Sequence, residues 1–99
     1  MTITLTNEKN LTILVLAGRL DTNTAPELET ALKPLLAQGK DLVLDFAALE
    51  YVSSAGLRVL LTAQKAVQKS ASKMIIRHVN DTINDIFELT GFADILTIE

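Results

Sequence analysis

This chain has no cysteine, no tryptophan, one histidine, two prolines and four glycines in 99 residues. Without cysteine there is no disulfide, no thiolate metal site and no thiol nucleophile. A metal centre needs several ligands and a serine triad needs an oriented histidine, so the lone His78 argues for neither. Gly18, Gly39, Gly56 and Gly91 are dispersed, and none is followed by Lys-Ser or Lys-Thr, which excludes a phosphate-binding loop of that type. Ser53-Ser54-Ala55-Gly56 lacks the first glycine of a Gly-x-Ser-x-Gly nucleophile elbow. The carboxylate pairs Asp81/Asp85 and Glu27/Glu29 read as solvated helix faces. The expectation is a protein that is not an enzyme and carries no cofactor or metal. A basic excess is missing too: the formal net charge of −3 argues against nucleic-acid binding. No apolar run approaches the ~20 residues of a membrane span. The opening Met1-Thr2-Ile3-Thr4-Leu5-Thr6 alternates and has no basic region of a signal peptide. A soluble, cytoplasmic protein with no membrane contact is expected.

What is present is aliphatic. Hydrophobic residues make up 48% of the chain, but only 4% are aromatic, so Leu, Val, Ile and Ala must build the core. A single domain over residues 1–99 buries roughly two-thirds of its unfolded surface and needs no staple. Thr2–Thr6 alternates as a half-buried or edge strand, Asn7–Asn10 turns, and Leu11–Ala17 reads as the second arm of an antiparallel hairpin. Gly18–Asp21 leaves the sheet. Thr24 and Glu27 form a capping-box pattern for a helix from about Ala25 to Gln38, with Pro26 in its first turn, Pro34 inside it and Gly39 as its stop. Asp41–Phe46, with Leu42, Val43 and Leu44 in a row, reads as a central strand covered on both faces or nearly so. A short polar connection precedes a helix from Ala55 to about Lys69, with Arg58, Thr62, Lys65 and Lys69 on its wet stripe. Lys73–Val79 is a strand, Asn80–Thr82 offers caps for a short helix through Leu89 closed by Gly91, and Ile95–Ile98 is a last strand.

The predicted order is β-β-α-β-α-β-α-β. Strand–helix–strand units require right-handed crossovers, so the fold class is α/β: a single mixed sheet, mainly parallel, with an N-terminal antiparallel hairpin and about three packed helices. Ser53 and Ser54 stand at the mouth of the second helix. A hydroxyl there either caps a free N–H or carries a phosphate, which the exposed amides and the helix dipole favour. One cap suffices, yet two hydroxyls precede a small Ala-Gly pair, and Arg58 follows Ser54 by one helical turn. The residues alone leave both uses open.

Asp45-Phe46-x-x-Leu49-x-Tyr51-Val52-Ser53-Ser54-Ala55-Gly56-Leu57, with Gly18-Arg19-Leu20-Asp21-x-x-x-Ala25 upstream, resembles the STAS domain family and within it the bacterial anti-sigma factor antagonists. The resemblance runs over nearly the whole chain. It implies binding to an anti-sigma factor that is also a serine kinase, phosphorylation of the serine two residues before the signature glycine, and reversal by a phosphoserine phosphatase. That serine is Ser54. Ser53 stands where the family often has Asp, which makes it a second candidate acceptor. Asp21, Ser53, Gly56 and Arg58 are expected to shape the partner-binding surface around Ser54, and Asp45 matches a further family position. Related domains that are not phosphorylated serve as interaction subunits of signalling or transport complexes, which is the alternative.

Overall fold

The computed structural model describes residues 1–99. The strands are β1 (Thr2–Glu8), β2 (Leu11–Leu20), β3 (Asp41–Val52), β4 (Met74–Arg77) and β5 (Thr97–Ile98), and the helices α1 (Ala25–Ala37), α2 (Ser54–Lys69) and α3 (Asp81–Thr90) lie between them, with a 3₁₀ turn at Phe92–Asp94. The element order and mixed sheet agree with the sequence pattern. β1 and β2 are antiparallel, every later pair is parallel, and the strands lie in the order β1-β2-β3-β4-β5.

That order decides where the helices sit. Right-handed crossovers that all step the same way along a sheet place their helices on the same face. The core accordingly joins one face of the sheet (Leu14, Leu16, Leu42, Leu44, Met74, Ile76) to Leu28 and Leu32 of α1, Leu57, Leu60 and Val67 of α2, and Ile83 and Phe87 of α3. Val43 is only 7% exposed, yet it lies outside this core, between its strand partners Ile13 and Ile75 on the other face. The expected cover on both faces of β3 is therefore corrected: one face has helices and the other has none. On β2 the longer apolar series Leu11, Ile13, Val15 and Ala17 takes the open face, while Leu14, Leu16 and Leu20 enter the core.

The strands that end beside the candidate serines are longer than the periodicity predicts. β2 continues through Gly18–Leu20, and β3 through the stretch read as a polar connection. Two bulges make this possible: Val15 pairs Asp45 but Ala17 pairs Ala48, and Gly18 pairs Leu49 but Arg19 pairs Tyr51. Each step admits one extra β3 residue and bends the strand. Phe46, Leu49 and Val52 consequently all point into the core at a spacing of three.

Asp45 secures the first bulge. Its Oδ1 accepts from the Ala47 N–H at 2.9 Å and lies 2.9 Å from His78 Nδ1, while Arg77 Nε stands 3.8 Å from Oδ2, an ion pair without a hydrogen bond. His78 lies outside the strand expected to reach Val79: it adopts φ 60°, a left-handed conformation that ends β4 at Arg77. Partial burial alone pushes the Asp45 carboxyl up, but the Ala47 N–H, the His78 ring and the Arg77 charge together hold it below its ordinary value. A carboxyl with a lowered folded pKa stabilises the fold above its unfolded value and loses that contribution as pH falls through the folded one. The stability gap between wild type and Asp45→Asn should therefore be widest near neutral pH and close on acidification below 3.8. Urea midpoints measured across that range provide the check.

Candidate functional site at the N-terminus of the second helix

β3 delivers its last residue directly to the start of α2. The Ser53 N–H donates to the Leu20 carbonyl at 2.8 Å, tying the helix entry to the end of β2. Ser53 is the N-cap: its backbone is extended (φ −90°, ψ 175°), and its Oγ accepts from the Gly56 N–H at 3.3 Å. Ser54 is the first helical residue, and it is exposed. Its hydroxyl makes no hydrogen bond within the protein. Of the two serines at the helix mouth, Ser53 thus serves the helix as its cap and Ser54 is left to solvent.

An Asp at position 53 would also be a good N-cap; Ser53 fills that role without placing a negative charge beside Ser54. Ser53→Ala should cost about 1 kcal/mol, which lowers Tm by roughly 4–8 °C in a domain of this size. Ser54→Ala should stay within about 0.5 kcal/mol of wild type. Thermal melts of the two variants would separate cap from free hydroxyl.

Gly56 is buried. A Cβ there would lie 2.7 Å from Leu20 Cγ and 3.1 Å from the Leu20 carbonyl oxygen, so the absence of a side chain lets the first turn of α2 sit against the end of β2. Gly56 shapes the surface from beneath. Arg58 lies one helical turn beyond Ser54, also exposed. The half-buried Ala55 adds no bulk over the serine.

The β2–α1 connection borders this helix through Leu20. Asp21 Oδ1 accepts from the backbone N–H groups of Asn23 (3.0 Å) and Thr24 (3.1 Å). Thr24 Oγ1 accepts from the Asp21 N–H at 2.8 Å and donates to the Arg19 carbonyl at 2.7 Å. The expected capping box is thereby corrected: Thr24 makes no side-chain cap bond to α1, because its hydroxyl is taken up by the turn before it. Desolvation raises the Asp21 carboxyl, but the bonds from Thr24 and Asn23, with the nearby Arg19 charge, hold it below its ordinary value. Asp21 is therefore an anionic turn-former that keeps this connection in one shape.

One feature of the surface is not apparent from spacing alone. The second bulge sets Arg19 opposite Tyr51, and the guanidinium lies 4.6 Å from the ring centroid, with Arg19 Nε 4.0 Å from Asp21 Oδ2. The exposed guanidinium is stacked in place, which limits its freedom. The signal was present in the two sequence blocks, since Arg19 belongs to one and Tyr51 to the other, but nothing in either block pairs them. Asp45 is not part of this group; it acts on the bulge upstream, on the face without helices.

The site is thus a capped helix start beside a rigid turn, at one end of a mixed sheet covered by helices on one face. The match to the STAS domain model extends over residues 2–99, and the chain belongs to the STAS domain family. It is 32% identical over 92 residues to the anti-sigma-B factor antagonist of Bacillus subtilis, covering 93% of this chain and 84% of that protein. Its fold is shared by an anti-sigma factor antagonist from Mycobacterium paratuberculosis (TM-score 0.87, 23% identity, 98% of this chain and 83% of that one). It is shared as well by the Bacillus cell fate determinant SpoIIAA in its phosphorylated form (TM-score 0.78, 17% identity, 99% and 91%).

Proposed function

We propose that this chain is an anti-sigma factor antagonist that works by partner switching. With Ser54 unmodified it binds an anti-sigma factor, itself a serine kinase, and so frees the sigma factor for transcription. Phosphate transfer to Ser54 ends the binding, and a phosphoserine phosphatase restores it. The protein acts by binding in the cytoplasm and catalyses nothing itself. The observation that carries this reading is the exposed, unbonded Ser54 hydroxyl at the first position of a helix whose cap is already supplied by Ser53. Relatives named for anti-sigma antagonism and a phosphorylated protein of the same fold support it. A phosphate at this position is favoured by the helix dipole and the free N–H groups of the first turn, with Arg58 one turn away.

The test is incubation with the cognate kinase and ATP, followed by mass-spectrometric site mapping. Label is expected on Ser54 and should disappear in Ser54→Ala, with the melting temperature unchanged. Full labelling of that variant would move the acceptor role to Ser53, and no incorporation into wild type would favour a constitutive interaction subunit.

A further inference from the structure

The two edges of the sheet are protected very differently. β5 is two residues long, which leaves little ladder to extend. β1 is seven residues long, pairs β2 in an unbroken register from Thr2↔Ala17 to Glu8↔Leu11, and has no neighbour on its other side. Edge strands are usually defended by proline, lysine, a bulge or shortness. In Thr-Ile-Thr-Leu-Thr-Asn-Glu the only charge is Glu8 at the end, and none of those devices is present. Leu5 lies in the middle of this edge with 47% of its surface exposed, on the same side of the sheet as its core partner Leu14.

We propose that β1 is a self-association edge, where two copies of this chain pair antiparallel about a twofold axis at Leu5 and join their sheets. The occupant follows from the strand's own sequence. In that register Leu5 faces Leu5 of the second copy, Thr4 faces Thr6, Ile3 faces Asn7, and Thr2 faces Glu8. Leu5 gains apolar cover, each Thr4–Thr6 pair is a favourable cross-strand combination, and the single carboxylate never meets its counterpart. A twofold arrangement is closed, so it ends at a dimer and does not grow into a filament. The contact is one strand wide and about 23 Å long at ~3.3 Å per residue. It is therefore smaller than the ~800 Å² per partner of a stable interface, and the dimer depends on concentration. This surface is independent of Ser54 and of the proposed partner switch.

The absence of native cysteine makes a clean test available. Directly opposed residues in an antiparallel pair have Cα atoms about 4.5–5.5 Å apart, inside the range that a disulfide spans. Under mild copper-catalysed oxidation, Leu5→Cys should form a covalent dimer. Thr2→Cys, whose counterpart lies six residues away along the strand, should remain monomeric under the same conditions. In sedimentation velocity, wild type should shift from the monomer mass toward twice that mass with rising concentration, and Leu5→Lys, with circular dichroism and Tm like wild type, should remain monomeric. Equal cross-linking at positions 2 and 5, or a wild-type chain that is monomeric at every concentration, would overturn the proposal.

Discussion

A phosphate on Ser54 is expected to weaken binding of the anti-sigma factor at least a hundredfold, ~2.8 kcal/mol. Unmodified Ser54 offers a small neutral surface that a partner can cover at little cost. Phosphoserine brings about −1.5 to −2 charges to the same place. The domain should accommodate this charge, because it would fall at a helix N-terminus whose cap bond is made by Ser53. A partner that must desolvate the charge without pairing it loses several kcal/mol. Ser54→Asp carries less charge and should fall between the two, while Ser54→Ala should bind about as well as wild type. Calorimetric titration of the four forms, matched for thermal stability, measures the series. Equal affinity for the unmodified and phosphorylated domains would remove the switch.

Gly56→Val should be among the most damaging substitutions near the site, costing about 3 kcal/mol or more and lowering Tm by at least ~10 °C. Alanine is the more discriminating variant, because two effects oppose each other. Replacing glycine by alanine within a helix gains up to ~1 kcal/mol from propensity. Here the added Cβ meets Leu20 Cγ at 2.7 Å and the Leu20 carbonyl at 3.1 Å, so the strand end or the helix must move. Overpacking of this kind costs ~1–3 kcal/mol, and the net effect should be destabilising. The Leu20→Ala background removes the closer contact. There Gly56→Ala should be less damaging than in wild type, and a double-mutant cycle by denaturant titration should give a coupling of about 0.5 kcal/mol or more. Additive effects would show that the close approach has no energetic weight.

The legibility of this chain follows from where periodicity survives. α2 and α3 carry strong helical stripes and clear end signals, and the structure places them within a residue or so of their predicted limits, with the Asn80 Oδ1 accepting from the Ile83 N–H and Gly91 in the left-handed region. The second half of β3 was not legible as strand. Its inward residues Phe46, Leu49 and Val52 recur every three positions, because each bulge inserts a residue between them. A spacing of three matches neither a strand nor a sustained helix. For the same reason the Arg19–Tyr51 stack was hidden, since their register exists only after both bulges have been counted. The open face of the sheet has no signal in the sequence for another reason. Leu42, Val43 and Leu44 read as covered on both sides, but Val43 is shielded by flanking strands alone, and a hydrophobic run cannot distinguish a helix above it from a neighbour beside it. At the site, the serine pair and Gly56 were visible as residue types, whereas the division of labour between Ser53 and Ser54 needed the extended backbone at position 53.

The strand order β1-β2-β3-β4-β5 also bears on how the chain reaches this structure. Each strand pairs with the one made just before it, so no strand waits for a distant segment to return and fill a gap. Every loop that must close spans one hairpin or one helix, and the entropy of closure grows only slowly with such lengths. The sheet can therefore be laid down from one end to the other as the polypeptide is synthesised, with each helix covering the newest strand on the same side. Parallel pairing still joins distant residues, as in Leu11 with Asp41 and Leu42 with Met74, so each addition requires its helix to bring the next strand back. Refolding should accordingly be slower than that of a helical bundle and faster than that of an all-β sandwich.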